Sequence, residues 1–250
     1  MGIAAFHSHE GQNVFVTGGA SGIGASIVEC FIGAGANVAF NDIDRTSGEA
    51  LAERLGDGCL FLPADASDPQ QLKNSLDDGI EYFGGLNTLV NNVARDSRET
   101  VAEITPQSWR DNLALNLDPV MFASQAALPA FHAAGGGAII NMSSLNAIIG
   151  LPDLPTYSTA KAAIIGLTKT LANSFGENNI RVNAILPGWV ITERQKNLWL
   201  TPEAEAEWKT DCALKGDLLP EDVANLVLFL ASDAAKMITS QSFIIDAGYR

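Results

Sequence analysis

Between Val14 and Cys30 the chain reads VFVTGGASGIGASIVEC, and this stretch constrains the fold more than any other. A β-branched apolar run gives way to small residues and then to an apolar pattern of helical period through Ile23, Ile27, Val28 and Phe31. That order is strand, tight turn, helix. Gly18, Gly22 and Gly24 let the backbone turn sharply and approach a bulky group, and the N–H groups at the start of the helix, with its positive dipole end, suit a pyrophosphate. Ser21 adds a hydroxyl. The spacing, Gly-x-x-x-Gly-x-Gly, differs from the commonest dinucleotide fingerprint, and a glycine turn alone fits a plain strand-to-helix connection equally well.

The next strand strengthens the dinucleotide reading. Asn37 to Asn41 (NVAFN) ends at Asp42, eighteen residues beyond Gly24, where a carboxylate accepts hydrogen bonds from an adenosine ribose. A 2′-phosphate at that point would meet like charge. At about 4 Å and an effective dielectric near 20 the repulsion is roughly 4 kcal/mol, or about two to three orders of magnitude in affinity. The expected cofactor is therefore NAD rather than NADP. Asp44 is the rival ribose ligand, and Asp42 as a solvated strand end is the plain alternative.

Later strands repeat the alternation. Cys59 to Leu62 runs into ADASD, where Asp65 either meets an adenine edge or caps the helix starting near Asp68. Thr88 to Val90 leads into Asn91-Asn92-Val93-Ala94, whose two amides either hold sheet ends together or touch a ribose. Thr105-Pro106 opens a helix expected to run to about Ala134 with a kink at Pro119, which frees carbonyl oxygen near Leu115 and Asn116 or only bends the helix around the core. Ala138 to Met142 ends in Ser143-Ser144. Short strands alternating with helices imply right-handed crossovers and one α/β domain over 1–250: a Rossmann-type, doubly wound parallel sheet with helices on both faces.

Tyr157 and Lys161 lie four residues apart on one helix face, in a helix expected from Thr156 to Phe175. A free phenol, with a pKa near 10, is too weak a base at neutral pH, and a nearby ammonium is expected to lower it by about one to three units. Tyr157 can then exchange a proton with an alcohol or carbonyl. Such a pair is common on ordinary helices, but a nucleotide turn upstream, and Ser144 thirteen residues before the tyrosine, give it chemical meaning.

These pieces together resemble the short-chain dehydrogenase/reductase family: TGGASGIG at 17 to 24, NNVA at 91 to 94, Asn116, Ser144, YSTAK at 157 to 161 and PGWVIT at 187 to 192. The resemblance implies that Ser144 holds the substrate oxygen and Tyr157 is the acid/base. It implies that Lys161 binds the nicotinamide ribose while lowering the tyrosine pKa, and that Asn116 holds a water in a proton relay. It extends the cofactor surface from Gly18, Ser21, Gly22, Ile23 and Gly24 through Asp42, Asp65, Ala66 and Asn92. Tyr157, Lys161, Pro187 and Val190 complete that surface, with Thr192 reaching the carboxamide. The chain has Val93-Ala94 where the family has Ala-Gly, which is expected to crowd the cofactor side of that turn, and Ala247-Gly248 where it has Gly-Gly.

Residues 192–215 are expected to form a small lid near the C-terminus. Trp189, Leu198, Trp199 and Trp208 either shape a pocket or simply pack. Within the family, residues 191–207, 212–233 and 245–250 are similar to bacterial sugar 1-dehydrogenases of the xylose dehydrogenase type. That similarity implies oxidation of an aldose at C1 to a lactone. The expected substrate contacts are Ser144, Tyr157, Asn146 and Trp189, and Arg95, Asp96, Arg194 and Gln195 are either further polyol contacts or surface residues. No metal is required.

A net charge of −14 argues against nucleic acid and anionic membrane as partners. No apolar run is long enough to span a bilayer, and the first residues lack a basic segment followed by an apolar one, so the expectation is a cytoplasmic protein. Cys30, Cys59 and Cys212 show no paired spacing and are expected to be buried free thiols. His7 and His9 are expected to be a chance pair near a mobile terminus. The resemblance implies a homotetramer built on the helices at Trp109 to Ala134 and Tyr157 to Phe175, where Ala160, Ala162, Ala163 and Gly166 allow close approach or pack on the sheet. A carbonyl or acyl thioester reductase would use the same catalytic set, but the chain lacks an obvious basic patch for an acidic carrier.

Overall fold

The computed structural model describes residues 9–250. In chain order the elements are β1 (Asn13–Thr17), α1 (Gly22–Gly33), β2 (Asn37–Asp42), α2 (Arg45–Leu55), β3 (Cys59–Pro63), α3 (Pro69–Phe83) and β4 (Thr88–Asn91). Then follow α4 (Pro106–Asn116), α5 (Asp118–Ala134), β5 (Gly137–Met142), α6 (Asn146–Ile149), α7 (Pro155–Phe175) and β6 (Ile180–Pro187). The chain continues with α8 (Glu193–Leu198), α9 (Pro202–Asp211), α10 (Pro220–Ala231) and β7 (Ser242–Ile245).

All seven strands are parallel, in the order β3-β2-β1-β4-β5-β6-β7. The order reverses between β1 and β4, so the carboxyl ends of those two strands open the crevice where a doubly wound sheet takes its ligand. Alternate residues of β1 feed opposite layers. Val14 and Val16 pack with Ile27, Val28 and Phe31 of α1 and with Val223 and Val227 of α10, whereas Phe15 packs with Leu72 and Leu76 of α3 and with Phe131 of α5. Burial on both faces explains why β1 is a continuous apolar run rather than an alternating one.

A polar row crosses the sheet at its carboxyl edge. Asn41, Thr17, Asn91 and Asn141 are register partners in turn, and the three asparagines and the threonine are buried. Asn91 Nδ2 donates to Asn141 Oδ1 at 2.9 Å. Each asparagine also bonds one hydroxyl of a helix on the same face: Ser75 of α3, Ser124 of α5 and Thr168 of α7. Asn91 thus takes the sheet-holding alternative.

The single kinked helix expected from 105 to 134 is two helices. Leu117, with φ −126° and ψ −50°, separates α4 from α5. Pro119 has no N–H to donate to Leu115 O, and its ring crowds that carbonyl, so it falls in the first turn of a new helix, where no such bond is needed. Val120 N–H donates to Leu117 O at 3.1 Å rather than to Asn116 O.

Cys212 is buried, but Cys30 and Cys59 are only partly so, and all three are free. His7 lies outside the described residues. His9, expected near a mobile end, is 1% exposed, within 2.9 Å of Gln12 Oε1 and 3.2 Å of Leu228 O, and edge-on to Phe31. On α7, Ala160 packs into the core, while Ala162, Ala163 and Gly166 face outward. Among the described residues no helix is long and apolar enough to cross a membrane.

Candidate functional site

The glycine turn after β1 is shaped by close approach. A Cβ at Gly24 would stand 2.0 Å from Gly18 O, and one at Gly18 would stand 2.8 Å from Val93 Cα. Gly18 and Gly22 have φ of +67° and +55°, a region side chains rarely occupy. Helices α2, α3, α4, α8 and α9 have their first N–H groups capped by Asp44, Asp68, Thr105, Thr192 and Thr201. Ser21, at the corresponding position of α1, makes no such bond. The first N–H groups of α1 therefore face the cleft unsatisfied by their own cap, the arrangement that holds an anionic group.

Thr17 and Asn92 clasp this turn. Thr17 Oγ1 accepts from Asn92 N–H at 2.9 Å and Val93 N–H at 3.1 Å, and Asn92 Nδ2 donates to Thr17 O and Gly18 O at 3.1 and 2.8 Å. Both donors of the Asn92 amide are thus directed into the turn. Val93 abuts Gly18 and packs on the α3–α5 side of the core.

Asp42 stands at the end of β2. Its Oδ2 accepts from Ala20 N–H inside the turn, and its Oδ1 from Asp44 N–H, both at 3.0 Å. Asp44 is occupied capping α2 through Ser47, so of the two rival carboxylates Asp42 is the one tied to the glycine turn. Asp65 does not cap α3; Asp68 does, and Asp65 accepts from the Ser67 N–H and hydroxyl. Asp65 and Ala66 still line the cleft.

One cleft of 1520 Å³ runs from Asp42 and Asp65 past the glycine turn to Ser144 and Tyr157. Ile23, Pro187, Val190 and Thr192 line it as well. The glycine approaches, the uncapped α1 and the Asp42 carboxylate together fit a dinucleotide along this length. Thr192 Oγ1 accepts from Gln195 N–H at the start of α8 and retains its own proton to donate.

At the far end Lys161 is 1% exposed, and its Nζ donates to Met142 O at 2.8 Å. Ser143 Oγ donates to Lys161 O at 2.7 Å, locking α7 to the end of β5. Ser144 Oγ accepts from Asn146 N–H at 3.2 Å. The Lys161 ammonium lies 5.6 Å from the Tyr157 ring centre. The expected lowering of the tyrosine by the lysine is not what the protein alone gives. Burial pushes Tyr157 up to about 12, the Asp96 charge acts in the same direction, and only the hydrogen bond with Ser144 pulls it down. Burial takes Lys161 down to about 7, so its charge is only partial at neutral pH.

The side chain of Asn116 is committed. Its Oδ1 accepts from Arg95 N–H at 2.9 Å, and its Nδ2 donates to Arg95 O at 3.2 Å and to Asn112 O at 3.0 Å. Asn116 therefore fixes the backbone of the loop that carries Arg95 and Asp96. Its main-chain carbonyl and that of Leu115 lose their usual donors at the helix break, since Val120 N–H turns to Leu117 O and Pro119 has no N–H.

Residues of α8, α9 and the carboxyl terminus border this far end. Trp189 Nε1 donates to Gln195 Oε1 at 2.9 Å, Gln195 Nε2 to Asp96 Oδ2 at 3.0 Å, and Arg194 Nε to Asp96 Oδ1 at 3.2 Å. Trp208 of α9 stacks on Tyr249 at 4.2 Å and meets Trp189 edge-on at 6.0 Å, and all three line the cleft. Tyr249, whose backbone bridges Cys212, lines the cleft of its own chain. Two residues escaped the sequence reading: Arg98, which pairs with Asp153 at 2.8 Å and lies 3.9 Å above the Trp199 ring, and Thr17, whose clasp lay within the recognised TGGASGIG run. No local pattern marks Arg98.

The enoyl-(acyl carrier protein) reductase family model matches residues 18–250. Over 241 residues the chain is 45% identical to a probable galactose dehydrogenase of Rhizobium meliloti, covering 95% of this chain and 94% of that one. It is 40% identical to a D-xylose 1-dehydrogenase of Caulobacter vibrioides over 250 residues, all of both chains. The structure of a short-chain type dehydrogenase/reductase from Mycobacterium ulcerans superposes with a TM-score of 0.92 at 25% identity, over 96% of this chain and 90% of that one.

Proposed function

The chain belongs to the short-chain dehydrogenase/reductase family, and from that premise we propose that it oxidises an aldose at C1 to the aldonolactone, with NAD as the hydride acceptor. Candidate substrates are pentoses and hexoses such as xylose, arabinose, galactose and fucose. The observation that carries the reading is the composition of the cleft's far end: the Ser144–Tyr157 pair beside an aromatic wall of Trp189, Trp208 and Tyr249 and a polar edge at Asp96. A pyranose presents such a surface with apolar C–H faces and a rim of hydroxyls. Two sugar dehydrogenases among the relatives support it.

In this reading Gly18, Ser21, Gly22, Ile23 and Gly24 hold the pyrophosphate, Asp42 accepts from the adenosine ribose, and Asp65, Ala66 and Asn92 flank the adenine half. Pro187, Val190, Thr192 and Lys161 hold the nicotinamide half. A nicotinamide cofactor held by these residues would supply the hydride acceptor for C1 and, in its oxidised form, a positive charge. Ser144 donates to the anomeric oxygen, Tyr157 removes its proton, and the electrons of that O–H bond close the C1 carbonyl as hydride departs. Burial pushes the Tyr157 phenol up, and an added positive charge nearby would favour its ionised form. The Asn116 carbonyl holds the water that carries the proton onward. Asn146 and Trp189 complete the sugar site.

The enzyme in this reading is a cytoplasmic homotetramer with 192–215 as its lid, assembled through the outward faces of the α4–α5 and α7 helices. The family model's description favours a second reading, reduction of a carbonyl or acyl thioester. Eight carboxylates line the cleft against five cations, an excess that disfavours an anionic substrate there. The deciding experiment follows nicotinamide absorbance at mildly alkaline pH with NAD or NADP and a panel of pentoses, hexoses, polyols and simple alcohols. NADH formation with one or two aldoses is expected. Failure of every aldose, with reduction of an oxoacyl substrate, overturns the proposal.

A further inference from the structure

Asp96 sits where three parts of the molecule meet. Its loop is clamped by Asn116 through both backbone groups of Arg95, and further along by Asp153, whose carbonyl accepts from Glu99 N–H at 2.9 Å. From the lid, Arg194 bonds one carboxylate oxygen and Gln195 the other. An ionised carboxylate has about four acceptor positions, two per oxygen. The two lid donors take one on each oxygen and leave one on each. The Asp96 side chain keeps 18% of its surface and lines the cleft. Arg98, further along the loop, is engaged with Asp153 and Trp199. So Asp96 faces the cleft with two adjacent, pre-oriented acceptors, close enough to the catalytic phenol for its charge to be felt there.

We infer that Asp96 is the residue that selects the hydroxyl pattern of the substrate, accepting hydrogen bonds from two neighbouring hydroxyls of a neutral sugar seated on Tyr157 and Ser144. This rests on the proposed aldose oxidation. Adjacent oxygens of a carboxylate match adjacent hydroxyls of a ring, and charge-assisted bonds of this kind discriminate strongly against an analogue that lacks one partner. The lid donors have a double effect: they hold the carboxylate in one rotamer, and by occupying half of its acceptor sites they make the remaining two directional.

The test is an enzyme–substrate cycle. Steady-state kcat/KM is measured for the wild type, Asp96→Asn and Gln195→Ala with D-xylose and D-galactose and their 2-, 3- and 4-deoxy analogues. In the wild type, loss of one facing hydroxyl is expected to cost about ten- to a hundredfold. Asp96→Asn is expected to lower the parent sugar by a similar factor and that deoxy analogue hardly at all, so the discrimination collapses. Gln195→Ala, which unties the lid but keeps the carboxylate, lowers all sugars by one common factor. A common factor with Asp96→Asn as well makes Asp96 a lid anchor only and overturns the inference. So does a wild type indifferent to every deoxy substitution, a measurement that needs no variant to fold. A wild type that oxidises neither these sugars nor any other aldose of the panel above overturns the proposed function, and this inference with it.

Discussion

Asn116 grips Arg95 by both of its backbone groups, accepting from the N–H at 2.9 Å and donating to the carbonyl at 3.2 Å. A side-chain amide reproduces here the pairing that two strands would make, between a helix end and a loop that has no strand of its own. Replacing Asn116 by Ala removes those part-buried hydrogen bonds, at a cost of about 1–2 kcal/mol. Denaturant unfolding should show that loss, together with a lower kcat/KM from a displaced Asp96. Asn116→Asp should do no better, because it removes both donors.

Tyr157→Phe keeps the ring and removes the acid/base. Turnover should fall by about 10²- to 10⁴-fold while NAD binding, followed by fluorescence titration, stays near the wild-type value. Retained turnover would refute the assigned base.

Burial shifts Lys161 and Tyr157 oppositely, and each has its own pH window. Lys161 falls from 10.5 to about 7, so between those values the unfolded chain holds a proton that the folded chain has released, and stability rises with pH. Tyr157 rises from 10.0 to about 12, so over that span the folded chain keeps the proton and stability falls as pH rises. The ligand-free wild type should therefore gain stability relative to Lys161→Met between pH 7 and 10 in thermal melts. A difference independent of pH would contradict the depressed lysine.

Asp42→Ser should relax the choice of cofactor. Removing the carboxylate removes a like-charge repulsion of roughly 4 kcal/mol toward a 2′-phosphate, so the ratio of NADP to NAD dissociation constants should narrow by about two to three orders of magnitude. Equilibrium binding of the two nucleotides measures it.

Ala247 has a φ of +60°, where a side chain costs about 1–2 kcal/mol. Glycine there relieves that cost but adds chain entropy to the unfolded state of about 0.5–1 kcal/mol. Ala247→Gly should stabilise the protein by about 0.5–1 kcal/mol in chemical denaturation.

What the sequence disclosed was local. The turn through Gly18, Gly22 and Gly24 is readable because steric demands, helix start and strand lie within twenty residues, and Tyr157 and Lys161 are readable because helical period alone puts them together. The same period misled at Pro119, where the missing N–H and the ring's clash with the preceding turn made two helices of one, parted at Leu117. The direction of the Tyr157 shift was also illegible, because depth of burial belongs to the assembled sheet and not to the four-residue spacing. The bonds of Arg98 with Asp153, and of Asp96 with Gln195, join residues 55 and 99 positions apart with no shared pattern.

The asparagine row at the carboxyl edge carries one more consequence. Side chains alternate faces along a strand, so slipping any of these strands by a single residue would swing its amide onto the opposite, apolar layer, stranding a polar group at about 1–3 kcal/mol each. Asn41, Asn91 and Asn141 therefore act against misalignment more than they add to cohesion. They fix how far each strand protrudes, and with it the level of the floor on which the glycine turn, Asp42 and Ser144 all stand.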